Sequence, residues 1–275
     1  MFGLPWHILL PTLLGSLLAG VLCSVMGTLV VRMRLSSLGF AMSHAAFAGA
    51  ALGLMLSVAE PLWLAIGFSL LTAAILGPLT DASRMNADTV IGAVFPLTMA
   101  MGLVFINKSP GAGVGSGALS LLWGSVLGIT MGQVAVLAMV LLVVVAIFAL
   151  FGKEFLALLL DRKLAQASGI NTRRAFYAVL FMVAVVVAVS MRVTGGLLIY
   201  ALMILPATAA FQWAYDIKKI FFLAPTFGVV AALAGFLLSL AADLPIGSSI
   251  ALCAAGLFLL STIASPKRRR AKAAG

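Results

Sequence analysis

An all-α integral membrane protein, a polytopic bundle of about eight or nine spanning helices, is the fold class this sequence predicts, and three observations carry the prediction. The first is composition: of 275 residues, 64% are hydrophobic and 9% charged, with mean hydropathy +1.24. Such a chain cannot cover a surface that faces water. The second is length, because the apolar runs reach about twenty residues, which at ~1.5 Å per residue crosses a hydrocarbon layer of ~30 Å. Runs so long and uniformly apolar exclude the short alternating segments of a β-barrel. The third is that the seventeen Lys and Arg, against seven Asp and Glu, fall almost entirely in the breaks between runs.

Nine candidate spans follow, at 8–31, 39–58, 61–80, 89–106, 131–151, 174–191, 196–213, 220–241 and 247–264. With the N-terminus outside, the inner breaks hold Arg32, Arg34, Arg84, Lys153, Arg162, Lys163, Arg173, Arg174, Lys218 and Lys219, and the tail adds Lys267 to Lys272. Only Lys108 and Arg192 are left outside, so the positive-inside rule selects N-terminus out and C-terminus in the cytosol. The net charge of +10 is then an orientation signal and calls for no nucleic acid. Residues 1–265 read as one transmembrane domain followed by a basic cytosolic tail, 266–275, a cluster that orientation alone produces just inside the last span, with specific binding of anionic lipid or RNA as the alternative.

The first run has no Lys or Arg before Arg32, so it reads as a span and not as a secretory signal. Pro5, Trp6 and His7 make an interfacial belt ahead of it. Cys23 and Cys253 lie in apolar runs without CxxC spacing and read as packing residues. In the second run, Ala41, Ala45, Gly49 and Gly53 recur every four residues, a stripe of small side chains that lets helix backbones approach. His44 stands one residue off that stripe beside Ser43, and a polar ring there belongs against protein or a water-filled path.

Residues 107–130 begin Gly-rich and continue into an apolar piece too short to cross, which predicts a short re-entrant or interfacial helix. No GK[ST] follows the glycines, so they make no phosphate loop. Residues 152–174 form the longest inner connection. Phe155, Leu158 and Leu159 share a face that Leu164 prolongs, predicting an amphipathic helix that ends at Gly169. A helix of this kind either docks a soluble partner or rests on lipid headgroups.

Asp88 opens the fourth span, where an acid makes a good helix start. Glu60 and Asp243 lie at outer ends, as loop acids or as attractors of cations. Arg192 snorkels at the outer interface. Pro206 interrupts the run ALMILPATAA and suits a hinge, moving or static. The thirteen methionines are scattered, not paired as a copper relay would need.

SSLGFAMSHAAFAGAALG, ADTVIGAVFPLTMAMGL, DRKLAQASGIN and GGLLIYALMILPATAA resemble, in this order, the permease subunits of ABC importers for zinc, manganese and iron ions. The resemblance implies a multi-pass subunit of the plasma (inner) membrane that holds no cofactor tightly, passes a divalent metal ion and catalyses nothing itself. Its implied partners are cytosolic ABC ATPases that hydrolyse the ATP, a second permease copy or paralogue, and an extracytoplasmic metal-binding protein. Asp161, Ala165 and Gly169 match the DxxxAxxxG coupling segment on which the ATPase sits. His44 of the SHA motif and Asp88 match candidate metal ligands. The family's usual aspartate four residues before that histidine is Phe40 here, so His44 is either a transient ligand or a packing residue.

Two other readings fit the same sequence. One is a permease for a chelated metal, which needs a ligand-sized cavity. The other is an autonomous secondary transporter or channel, for which His44 is the only ionisable mid-membrane residue. A membrane-embedded metalloenzyme lacks its HExxH.

Overall fold

The computed structural model describes residues 6–58, 60–83, 85–109, 129–160 and 162–267, with backbone alone at 162, 163, 192, 193 and 197. Ten helices lie within them: α1 (Trp6–Arg32), α2 (Ser37–Met55), α3 (Pro61–Ser83), α4 (Ala87–Asn107), α5 (Met131–Leu160), α6 (Arg162–Ala167), α7 (Thr172–Thr194), α8 (Gly196–Trp213), α9 (Ile217–Ala242) and α10 (Ile246–Ala264). Eight of these are long and apolar enough to cross a membrane, and α8 is a shorter apolar helix. The expected short helix within 107–130 falls almost wholly outside the described residues, as does the tail from 268.

Burial sorts the helices into inner and outer. The spanning window of α2 is 72% buried and that of α7 is 67%, against 17% for α5. α5 accordingly exposes Met139, Leu142, Val143, Val145 and Leu150, the side chains a lipid-facing helix presents. Two close crossings seat α1 in the centre. A Cβ on Gly27 would collide with the carbonyl of Met203 in α8, and Gly20 and Gly228 of α9 face one another so closely that neither accepts a side chain. Small residues are what backbone-to-backbone packing in lipid requires.

Pro206 lies inside α8 and leaves the Leu202 carbonyl without its helical donor. Ser24 of α1 supplies a substitute, its hydroxyl lying 3.2 Å from that carbonyl while donating at 2.6 Å to Gly20. The proline is thus accommodated inside a packed helix.

The helix ends that carry cations converge. Arg32 Nε at the end of α1 donates to the Leu159 carbonyl of α5 at 2.9 Å. Asp81 of α3 pairs with Arg173 of α7 at 2.9 Å. Val31 of α1 packs against the buried cluster that Ala207, Ala210, Ala214, Ile220 and Ala224 form across α8 and α9. At the end of α10, Ser265 Oγ donates to the Gln212 carbonyl and Lys267 Nζ to the Phe211 carbonyl, closing the C-terminal end of α8. Cations at that point complement the helix dipole.

Candidate functional site

The site begins with spacing. Ser37, Phe40 and His44 stand at i, i+3 and i+7 on α2, one stripe about 10 Å long. Gly92 and Phe95 of α4 face it, and Tyr200 of α8 closes the third side. Four rings meet here. Phe40 lies 4.7 Å from His44 in edge contact, 4.5 Å from Phe95 and 5.3 Å from Tyr200, while His44 and Phe95 are 4.6 Å apart between centroids. On the Ser37 side of this layer is a cavity of about 320 Å³, lined by Ser37, Phe40, Gly92, Phe95 and Tyr200. His44 lies on the far side, 9% exposed, and its Nδ1 has no hydrogen-bond partner. Ser43, the expected polar neighbour, turns its hydroxyl to the Phe40 carbonyl at 2.8 Å.

Asp88 sits in the first turn of α4, but the helix it caps is its neighbour. Its Oδ1 accepts from the backbone N–H of Ser37 at 2.7 Å, and Oδ2 lies 3.4 Å from Ser36 Oγ. The carboxylate therefore serves the N-terminus of α2, where exposed amides attract negative charge. The sequence expectation sets Asp88 at the start of its own span, and it does stand in the first turn of α4, whose N-cap residue is Asn86; the bond to Ser37 is a further role that the expectation did not include. Among the described residues, no three of His, Cys, Asp and Glu gather closely enough to hold a metal ion.

The small-residue stripe packs in two parts. Ala41 and Ala45 are fully buried. Gly49 and Gly53 lie against α3, where added side chains would strike the Leu64 carbonyl and Pro61. Cys23 is buried and Cys253 partly so. Asp243 ends α9 in the left-handed region, and Glu60 precedes α3.

The inner connection is an elbow. α5 runs on past the expected end of its span through a kink at Phe151, so Phe155, Leu158 and Leu159 belong to its last turns and are buried. α6 then holds Ala165, 2% exposed. It ends in paired bonds, Ile170 N–H to the Ala165 carbonyl and Gly169 N–H to that of Gln166, with Gly169 at φ +81°. That is the Schellman arrangement, and the glycine supplies the left-handed residue it needs. Gln166 donates to Thr172 Oγ1 at 2.9 Å, and Asn171 caps α7 through Arg174 N–H. Leu164 corrects the expectation of a continuous apolar face: it is 67% exposed, as is Leu160, because α6 is a separate short helix with its own azimuth. Asp161 lies outside the described residues.

Phe95 and Tyr200 escaped the sequence reading. The one available signal was that Phe40 stands one turn from His44, and it does not say which helices bring further rings.

The family profile described as "ABC 3 transport family" matches residues 6–265. The manganese transport system membrane protein MntC of Halalkalibacterium halodurans is 29% identical over 265 residues, covering 96% of this chain and 90% of that protein. The high-affinity zinc uptake system membrane protein ZnuB of Haemophilus influenzae is 26% identical, covering 93% and 97%. A chain in the structure of PsaBC from Streptococcus pneumoniae in complex with Fab superposes with a TM-score of 0.85 at 28% identity, covering 98% of this chain and 96% of that one.

Proposed function

The chain belongs to the ABC 3 transport family, and from that premise we propose that it is the membrane permease of an ATP-driven importer whose cargo is a divalent metal ion, manganese or zinc. The observation that carries the reading is the family match over 6–265, together with relatives named for manganese and zinc transport along nearly their whole length. Those names do not support iron. The chain hydrolyses nothing; a cytosolic ABC ATPase engages the elbow of α6, Ala165, Gly169 and Asp161, and a second copy or paralogue completes the path. An extracytoplasmic metal-binding protein delivers the ion at the other end. The chain lies in the plasma (inner) membrane with its cation-rich end in the cytosol, as the positive-inside rule orients it.

Three features support coupling through the elbow. It projects Leu160 and Leu164 outward, it is fastened to α1 by Arg32, and it leads directly into α7, a central helix. A push on it is delivered to the core as a rigid-body displacement. His44 is the ion's transient contact in the membrane, and a single imidazole holds an ion weakly enough to release it.

The test is uptake of manganese and zinc by cells expressing the chain with its ATPase and binding protein. Uptake that requires ATP and falls on Leu164→Ala, with unaltered expression, supports the proposal. Uptake driven by an ion gradient without the ATPase would refute it. A chelated metal is the second reading, favoured by the volume of the aromatic cavity, which lies at the lower edge of small-ligand pockets. It predicts competition by the intact chelate and none by the free ion.

A further inference from the structure

We propose that Phe40 and Phe95 form a closed aromatic barrier between His44 and the cavity at Ser37, so that an ion passes only when α2 and α4 part. The inference rests on the reading of the chain as a metal permease and specifies the gate of that path.

The order of groups along the site carries it. His44 is at one level of α2, Phe40 one turn below, and Ser37 another turn below that. Phe95 of α4 touches both Phe40 and His44, at 4.5 and 4.6 Å between centroids. Rings at that separation are in van der Waals contact, leaving no passage for an ion or a water molecule. Tyr200 of α8 backs Phe40 from the third side.

Polarity changes across the layer. Above it, the buried Nδ1 of His44 lacks a hydrogen-bond partner. Below it, Ser37 and Gly92 line the cavity, and Pro96, having no N–H, leaves the Gly92 carbonyl without its helical donor. Oxygen groups that can rehydrate an ion are therefore available on the Ser37 side. Phe40 and Phe95 themselves offer only ring faces and edges, and an apolar constriction of this kind excludes water and ions until it widens.

Two features make the barrier movable. α2 and α4 are joined at the cation-rich end by the Asp88–Ser37 hydrogen bond and beyond the barrier by Gly102, which packs against Phe47 and Ala48, so a parting at the rings lies between two fastened ends. Pro96, immediately after Phe95, interrupts the hydrogen-bond ladder of α4 at the level of the barrier, a place where helices bend.

The test uses the full chain in membrane vesicles, with Cys23 and Cys253 replaced by alanine. Single cysteines are placed by His44→Cys or Ser37→Cys, and a small membrane-impermeant thiol reagent is added from each side in turn. Ser37→Cys should react rapidly from one side, which identifies the side of the cavity. From that side His44→Cys should react slowly, and adding Phe40→Ala or Phe95→Ala should speed it by about tenfold or more, as opening an apolar constriction admits water. If Phe40→Ala lowers the yield of folded protein, Phe95→Ala decides alone. Rapid labelling of His44→Cys from the Ser37 side with both rings present overturns the barrier, and so does labelling from that side left slow by the alanine variants. Metal uptake by cells carrying the unaltered chain separates the two claims. Uptake with ring-independent labelling sinks the barrier alone, whereas ring-dependent labelling without uptake sinks the transport reading.

Discussion

Replacing Phe40 by aspartate should place a carboxylate one helical turn from the imidazole of His44, since residues four apart are neighbours on a helix surface. We expect Phe40→Asp to bind zinc more tightly by about tenfold or more, the scale on which single partners of a metal ligand act. Titration of the purified chain measures it, and unaltered affinity would show that the two side chains do not converge. The relation between positions 40 and 44 is legible in the sequence because it lies within one helix. The contributions of Phe95 and Tyr200 are not, since they depend on how α4 and α8 are packed around α2. The second role of Asp88 is hidden for a related reason: an acid in the first turn of a helix suits its own N-terminus, and nothing local reveals that the Ser37 N–H of α2 lies 2.7 Å away.

The helices end by a shared device that carries its own predictions. α1, α2, α6 and α9 each close with an N–H reaching back five residues: Leu35 to Val30, Val58 to Gly53, Ile170 to Ala165 and Leu244 to Ser239. The residue before each donor is left-handed, but only at Gly169 is it glycine; Arg34, Ser57 and Asp243 adopt φ of 58°, 54° and 55°. A side chain in that region costs roughly 1 kcal/mol. Ser57→Gly should therefore raise the melting temperature of the purified protein, by about 1 kcal/mol of stability, and Gly169→Ala should lower it by a similar amount. The same melting temperature for Gly169→Ala and wild type would remove the strain argument from the elbow. At this scale the sequence announced the stop at Gly169 and the apolar side chains 155, 158 and 159. It could not show that α5 extends through the kink at Phe151, because the apolar pattern continues unbroken across a bend set by tertiary packing. The exposure of Leu164 follows from that break in direction.

For the whole molecule, the distribution of charge makes the strongest claim. Arg32, Arg34, Lys153, Arg173, Arg174, Lys218, Lys219 and Lys267 all belong to ends or turns that the fold gathers together, through the Arg32–Leu159, Asp81–Arg173 and Lys267–Phe211 contacts and the packing of Val31 on the α8–α9 cluster. Nothing in the physics of packing requires this. The exposed Asp81–Arg173 pair contributes roughly 0–1 kcal/mol, too little to draw the ends together. Asymmetry in Lys and Arg near span ends is what membrane insertion reads, so this end should face the cytosol. A fluorescent protein fused after residue 275 should mature and emit, and a cysteine at Lys218 should be labelled by an impermeant reagent only after the membrane is opened. A cysteine at Lys108, beyond α4 at the opposite end, should be labelled in intact cells. The reverse pattern would do more than turn the bundle over: it would place the elbow at Gly169 on the side without ATP, where no ATPase could reach it, and the proposed coupling would have no motor.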